Sequence, residues 1–149
     1  MNTRRSFLLA ASAVLAVGMM PSARAQQTLP LVTVYKSPAC GCCGEWVKHM
    51  RASGFRVETR EVADVGPIRR KYGVPDALLS CHTAIVGGYA IEGHVPAADI
   101  KRLLREKIKA TGLAVPGMVD GSPGMEQGRP KPYATFAFDE RGSRVFAQH

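Results

Sequence analysis

Three cysteines lie within four positions of the chain, at Cys40, Cys42 and Cys43. The pair Cys40 and Cys43 has the two-residue spacing of thiol–disulfide oxidoreductases, in which the thiolate is the reactive species. A third thiol at Cys42 complicates that chemistry, because it offers the wrong partner for disulfide exchange. For a soft metal it is an advantage, since closely spaced thiolates suit Cu(I) and can share bridging ions. The spacing therefore favours a metal–thiolate site over a simple redox pair.

The fourth cysteine, Cys81, leaves two other interpretations open. A zinc site usually needs four protein ligands, so Cys81 would have to supply one from elsewhere in the fold. Two structural disulfides are also common in exported proteins. A Cys40–Cys43 bond would leave Cys42 and Cys81 to pair, whereas joining Cys42 to Cys43 would require a strained link between neighbours.

Histidines and methionines elsewhere in the chain are candidate auxiliary ligands. His94 follows a predicted hairpin, and His82 precedes the third predicted strand. Met118 and Met125 lie in a Gly- and Pro-rich segment, an unusual place for core residues, and thioethers favour Cu(I). Each has an ordinary alternative, because loop histidines often face solvent and methionines often fill gaps in packing. His49 lies inside a predicted helix and is expected to be structural.

Hydrophobic periodicity predicts an α/β fold that would position these residues. The expected order is β-α-β-α-β-β-α, with the cysteines at the beginning of the first helix, where free N–H groups and the helix dipole stabilise thiolates. The second strand is expected to expose one face, and Asp64 to cap the second helix. A linker over residues 113–131 should precede a terminal hairpin. The predicted strands cover residues 31–35, 55–60, 83–86, 89–92, 133–138 and 144–147; the predicted helices cover residues 44–53, 65–72 and 96–108.

The first 25 residues are typical of an export signal. Two arginines precede a mostly apolar run over residues 7–20, and ARA at residues 23–25 fits a cleavage site. The beginning also resembles a twin-arginine signal, with the general secretory route as the alternative. Cleavage would leave 124 of the 149 residues, enough for one small domain, and would lower the net charge from +8 to +5. Basic residues do not alternate with aromatic ones, which argues against a nucleic-acid surface.

Taken together, the motifs resemble the CopG-type periplasmic copper-resistance proteins, a thioredoxin-like group long described as a domain of unknown function. One motif alone would not be specific, but the set is, and it extends from residue 32 to residue 126. Val119 departs from the family's usual Gly-Met-Pro. The matching segments are CGCC at residues 40–43, SCHTA at 80–84, EGHVPA at 92–97, GM at 117–118 and GSPGME at 121–126.

The resemblance implies a thioredoxin-like, metal-binding domain over residues 30–110. Residues 111–149 would then form a Met-containing loop and a C-terminal hairpin packed on the same domain. It also implies copper binding, as Cu(I) and in a second oxidation state Cu(II). The implied thiolate ligands are Cys40, Cys42, Cys43 and Cys81, and the implied auxiliary ligands are His94, Met118 and Met125.

The same resemblance implies a role in periplasmic copper resistance. A multinuclear thiolate centre and copper redox conversion are versions of this role that the sequence leaves open, as is whether the protein is an enzyme. The expected partners are copper ions, with periplasmic copper chaperones or efflux components as further candidates. No nucleic acid and no membrane span after signal cleavage are expected. The alternative function is a periplasmic thiol–disulfide oxidoreductase that uses Cys40 and Cys43.

Overall fold

The computed structural model describes residues 28–149, so the predicted export signal lies outside the described residues. These residues form an α/β fold in which helices pack on one mixed seven-stranded sheet. The α/β class and the predicted order of the first seven strands and α-helices are confirmed, with an unpredicted 3₁₀-helix, Asp76–Leu78, between the second helix and the third strand. The strands are β1 (Val32–Lys36), β2 (Val57–Glu61), β3 (His82–Val86), β4 (Tyr89–Glu92), β5 (Gly112–Ala114), β6 (Ala134–Asp139) and β7 (Gly142–Gln148); the helices are α1 (Gly41–Ala52), α2 (Gly66–Lys71) and α3 (Ala97–Glu106).

The sheet is continuous, with the strand order β2-β1-β3-β4-β5-β6-β7. β1 pairs parallel with β2 and antiparallel with β3, and β3 and β4 form a hairpin. β5 joins this part to the predicted terminal hairpin, β6 and β7. The expectation of a linker without strands from residue 113 was wrong at its beginning. β5 has only three residues, too short for a periodicity to reveal it.

Strand register brings distant parts of the chain to one edge of the sheet. In the antiparallel pair, Lys36 at the end of β1 lies opposite His82 at the beginning of β3. Thr83 in β3 lies opposite Glu92, the last residue of β4. Consequently the turn after β1, the residues before β3 and the residues after β4 all meet at this edge.

The core holds α1 and α3 against the sheet. Trp46 and Met50 of α1 are fully buried, as are Ile100 and Leu103 of α3, so both helices turn an apolar face to the sheet. The Trp46 indole Nε1 donates a 2.9 Å hydrogen bond to the carbonyl oxygen of Val95. This bond fixes the segment before α3 to the helix that begins at the cysteine turn.

Three local expectations can be compared with the fold. β2 is an edge strand and is exposed from Glu58 to Glu61, so the prediction of a single exposed face was wrong. The residue before α2 is Val65 and not Asp64 as expected; Asp64, one position earlier, still contacts the helix, since its Oδ1 accepts a 2.8 Å bond from the backbone N–H of Gly66. α1 begins at Gly41, three residues earlier than its apolar pattern indicated.

Within residues 28–149, no helix has both the length and the apolar character needed to cross a bilayer.

Candidate metal centre

The four cysteines meet at the sheet edge described above and form a group that we call the cysteine cluster: Cys40, Cys42, Cys43 and Cys81. Their sulfur atoms all lie within 4.8 Å of one another. The Cys42 Sγ lies 3.6 Å from the Sγ of Cys40 and 4.0 Å from the Sγ of Cys81. Four sulfurs at such distances can bind a soft metal ion together or bridge several ions.

The beginning of α1 determines how the first three cysteines are presented. Cys40 is the residue before the helix, and Cys42 and Cys43 lie in its first turn. Cys43 is buried beneath the turn, while Cys40 and Cys42 are partly exposed. The three cysteines therefore stand at the N-terminus of the first helix, where the sequence placed them.

Cys40 and Cys43 are joined by a disulfide, whereas Cys42 and Cys81 are free thiols. The structure therefore describes an oxidised form of the cluster. It does not contain the second disulfide of the structural alternative, because the Cys42 and Cys81 sulfurs remain 4.0 Å apart. Two of the four sulfurs become available as thiolates only after reduction.

His94 extends the cysteine cluster with a nitrogen ligand. Its Nδ1 lies 2.7 Å from the carbonyl oxygen of Pro123, so Nδ1 carries the proton and donates. The lone pair on Nε2 therefore faces the Cys81 Sγ, 2.9 Å away, and accepts from the thiol. Burial lowers the pKa of His94 and raises the pKa of Cys81 to about 12, with the nearby Cys42 adding to the latter. Both directions agree with a neutral Cys81 thiol and a neutral imidazole, and a metal ion would displace the thiol proton.

His82 also lies beside the cluster. Its Nδ1 is 3.4 Å from the Cys81 Sγ, and its ring packs between Trp46 and His94. Burial, reinforced by His94, lowers the pKa of His82 to about 3, which keeps the ring neutral. The sequence left this residue undecided between a loop residue and a ligand. In the structure His82 is completely buried, and its ring lies close enough to the Cys81 sulfur for both to bind one metal ion.

The two methionines differ in position. Met125 lines a cavity of about 400 Å³ together with Cys42, so it borders the cluster. Its loop lies directly on α1, because a Cβ on Gly124 would approach the backbone nitrogen of Trp46 to 2.7 Å. Met118 is 58% exposed and does not line this cavity. The structure thus brings one of the two candidate thioethers to the cysteines and leaves the other at the surface.

A group of polar residues behind Cys81 was not predicted from the sequence. The carboxylate of Glu92 is fully buried and forms an ion pair with Arg69 at 2.8 Å. Both side chains bind the backbone of Ser80, the residue before Cys81. An acidic residue in the otherwise apolar strand YAIE was the available signal, but its partner in α2 could not be identified from the pattern.

The chain is similar to known proteins both in sequence and in structure. The family model described as "Protein of unknown function, DUF411" matches residues 78–125. Two solved structures, "Copper resistance protein copG- Form 2" and "Copper resistance protein copG- Form 1", are each 42% identical to this chain. Each match covers 81% of this chain and 98% of the other, with TM-scores of 0.77 and 0.76 respectively. The comparison with curated proteins finds no match.

The fold and the site define a small α/β protein with a thiol-rich candidate metal centre at one edge of its sheet. At this level of identity and coverage, the chain belongs to the CopG-type family of copper-resistance proteins. The resemblance inferred from its motifs is confirmed.

Proposed function

We propose that the protein binds Cu(I) through the thiolates of the cysteine cluster and serves copper resistance. The observation that carries this proposal is the convergence of four sulfurs within 4.8 Å. Thiolates favour Cu(I) over harder ions, and short sulfur–sulfur distances allow ions to be shared in a multinuclear centre. His94 adds a neutral nitrogen donor, and Met125 adds a thioether beside Cys42. The names of the two similar structures support copper as the metal.

The disulfide connects this binding site to copper redox conversion. Reduced Cys40 and Cys43 can each release one proton and together release two electrons as they form their S–S bond. Two Cu(II) ions would take one electron each and become Cu(I). Cys42, Cys81 and His94 remain as donors in the oxidised form, because they take no part in the disulfide.

The proposed location is the periplasm, after cleavage of the export signal at residues 1–25. The periplasm is an oxidising compartment, in which the Cys40–Cys43 disulfide can persist. Periplasmic copper chaperones or efflux components are the proposed partners for loading and unloading the site. Loss of export when both signal arginines, Arg4 and Arg5, are changed to lysine would support the twin-arginine route over the general one.

An anaerobic titration tests the copper proposal. The mature protein is fully reduced and titrated with Cu(I) against a competing chelator while copper and free thiols are counted. We expect more than one tightly held Cu(I) per chain, with the thiols becoming protected together. The pre-formed disulfide protein is the matched control and should bind less copper, because two sulfurs are withheld. Failure of the reduced protein to compete with the chelator would rule out the proposal.

A thiol–disulfide oxidoreductase is the second candidate. The Cys40–Cys43 disulfide, formed by two cysteines with the two-residue spacing of such enzymes, favours it specifically. It predicts that the protein accelerates insulin reduction by dithiothreitol, and that the Cys42→Ser variant retains this activity. Absence of acceleration would remove this candidate while leaving copper binding untouched.

A further inference from the structure

Ser80 is held by a buried pair of opposite charges that we call the Arg69–Glu92 clamp. The backbone N–H of Ser80 donates a 2.8 Å hydrogen bond to the Glu92 Oε1. The Arg69 Nη2 donates to the carbonyl oxygen of Ser80 at 2.5 Å, and the Arg69 Nε donates to the same Oε1 at 3.0 Å. Both backbone polar groups of Ser80 are therefore bound by one ion pair.

The two oxygens of the Glu92 carboxylate have different partners. Oε1 receives the bonds from Ser80 and Arg69, while Oε2 receives a 2.6 Å bond from the hydroxyl of Thr83. Thr83 therefore satisfies the buried carboxylate without touching the peptide before Cys81. A substitution at Thr83 can weaken the burial of Glu92 and leave the hold on Ser80 in place.

The clamp lies directly behind Cys81, the cluster cysteine that is farthest in sequence from the other three. Ser80 precedes Cys81, whose Sγ must lie near Cys42 and His94 at once. Neither element that supplies the clamp contains a cluster sulfur, since Arg69 belongs to α2 and Glu92 to β4. The Ser80 hydroxyl also donates to the carbonyl oxygen of Gly117, which ties the methionine-containing loop to the same peptide.

We propose that Arg69 and Glu92 are positioning residues that set the place of the Cys81 thiol, and through it the geometry of the cluster. The biological purpose of this positioning rests on the proposed copper function, whereas the test described below does not require copper. A buried ion pair that served stability alone could be replaced by apolar groups at little or no cost. A positioning pair has an additional effect, because its loss frees the Ser80 peptide and with it the Cys81 sulfur.

The test measures the reactivity of the Cys81 thiol alone and needs no copper. In the Cys42→Ser protein with the Cys40–Cys43 disulfide formed, Cys81 is the only free thiol of the four cysteines. Its alkylation by iodoacetamide is followed by mass spectrometry under native conditions. The hydrogen bond to His94 and partial burial should make it slow in this background. We expect Glu92→Gln and Arg69→Met, each added to this background, to accelerate alkylation at least tenfold.

Thr83→Val is the matched control. It removes the Oε2 partner of Glu92 and should lower the unfolding midpoint, yet it should leave the alkylation rate of Cys81 within about twofold. Arg69→Met keeps the proposal testable if Glu92→Gln does not fold, because the Arg69 side chain is 18% exposed and more tolerant of change. If the folded clamp variants alkylate no faster than Thr83→Val, Arg69 and Glu92 are structural only and the proposal is overturned.

A parallel Cu(I) titration of the clamp variants with Cys42 present separates the two proposals. With both correct, the variants lose at least tenfold in Cu(I) affinity while the disulfide between Cys40 and Cys43 still forms. If the protein with an intact clamp binds no Cu(I) but the alkylation rates shift as expected, the copper function fails and the positioning role stands. If all variants bind Cu(I) equally and alkylate equally, the copper function stands and the positioning role fails.

Discussion

At the scale of single residues, Cys42 distinguishes a metal site from a redox pair. Its sulfur lies within 4.0 Å of the sulfurs of both Cys40 and Cys81, so it can share a metal ion with the cysteines at the beginning of α1 and with the one before β3. We expect Cys42→Ser to lower the number of tightly bound Cu(I) ions per reduced chain by at least one. An anaerobic titration with a chelator measures this number. Unchanged stoichiometry would mean that the third thiol is not a ligand.

Met118 and Met125 should affect copper binding in different ways. Met125 borders the cavity beside Cys42, so Met125→Leu should weaken Cu(I) affinity. Met118 is largely exposed, so its thioether can capture copper at the surface, and Met118→Leu should slow loading while leaving affinity unchanged. Stopped-flow transfer from a coloured Cu(I) chelator gives the rate, and equilibrium competition gives the affinity. If the double variant changes neither quantity, the thioethers have no role in copper handling.

At the scale of elements, the sequence pattern predicted those features that are determined by neighbouring residues in the chain. The β3–β4 hairpin and helix α3 follow from turn chemistry and helical periodicity, and both were found within two residues of where they were expected. Strand register is set by tertiary pairing, so the meeting of Lys36 with His82 could not be derived from periodicity. The Arg69–Glu92 pair spans 23 positions and joins a short helix to a strand, which no local signal encodes.

His49 links α1 to the beginning of α3, as expected for a structural residue. Its Nε2 accepts a 3.1 Å hydrogen bond from the backbone N–H of Ala97, which requires a neutral ring. Burial lowers the pKa of His49 from 6.5, with Glu126 opposing and Lys101 reinforcing this shift. As the pH falls below 6.5, the unfolded chain therefore binds the proton first, and the free energy of unfolding should fall.

The pH dependence of unfolding isolates this effect. We expect the urea-unfolding free energy to fall more steeply between pH 7 and pH 5 in the unmodified protein than in His49→Gln. The glutamine amide can accept the same bond but does not titrate. His82 and His94, whose pKa values are also lowered, contribute a slope of the same sign to both proteins. Parallel slopes for the two proteins would show that His49 does not titrate on unfolding.

At the scale of the whole molecule, the candidate site joins segments that are far apart in the chain. The candidate ligands lie at the beginning of α1, in the residue before β3 and in the loop after β4. A metal ion bound to all three would act as a cross-link that exists only in the folded state. Copper binding and folding should therefore be thermodynamically linked.

This linkage predicts that Cu(I) raises the thermal stability of the reduced protein. At free Cu(I) about 100-fold above the dissociation constant, the gain is about 2.7 kcal/mol, or on the order of 10 °C in Tm for a domain of this size. Differential scanning calorimetry of reduced protein with and without Cu(I) measures the shift. Cys81→Ser, which disconnects β3 from the site, should reduce it even where the helix cysteines still bind copper. A full shift in that variant would place copper on the cysteines at the beginning of α1 alone, and the three-segment site would have to be abandoned.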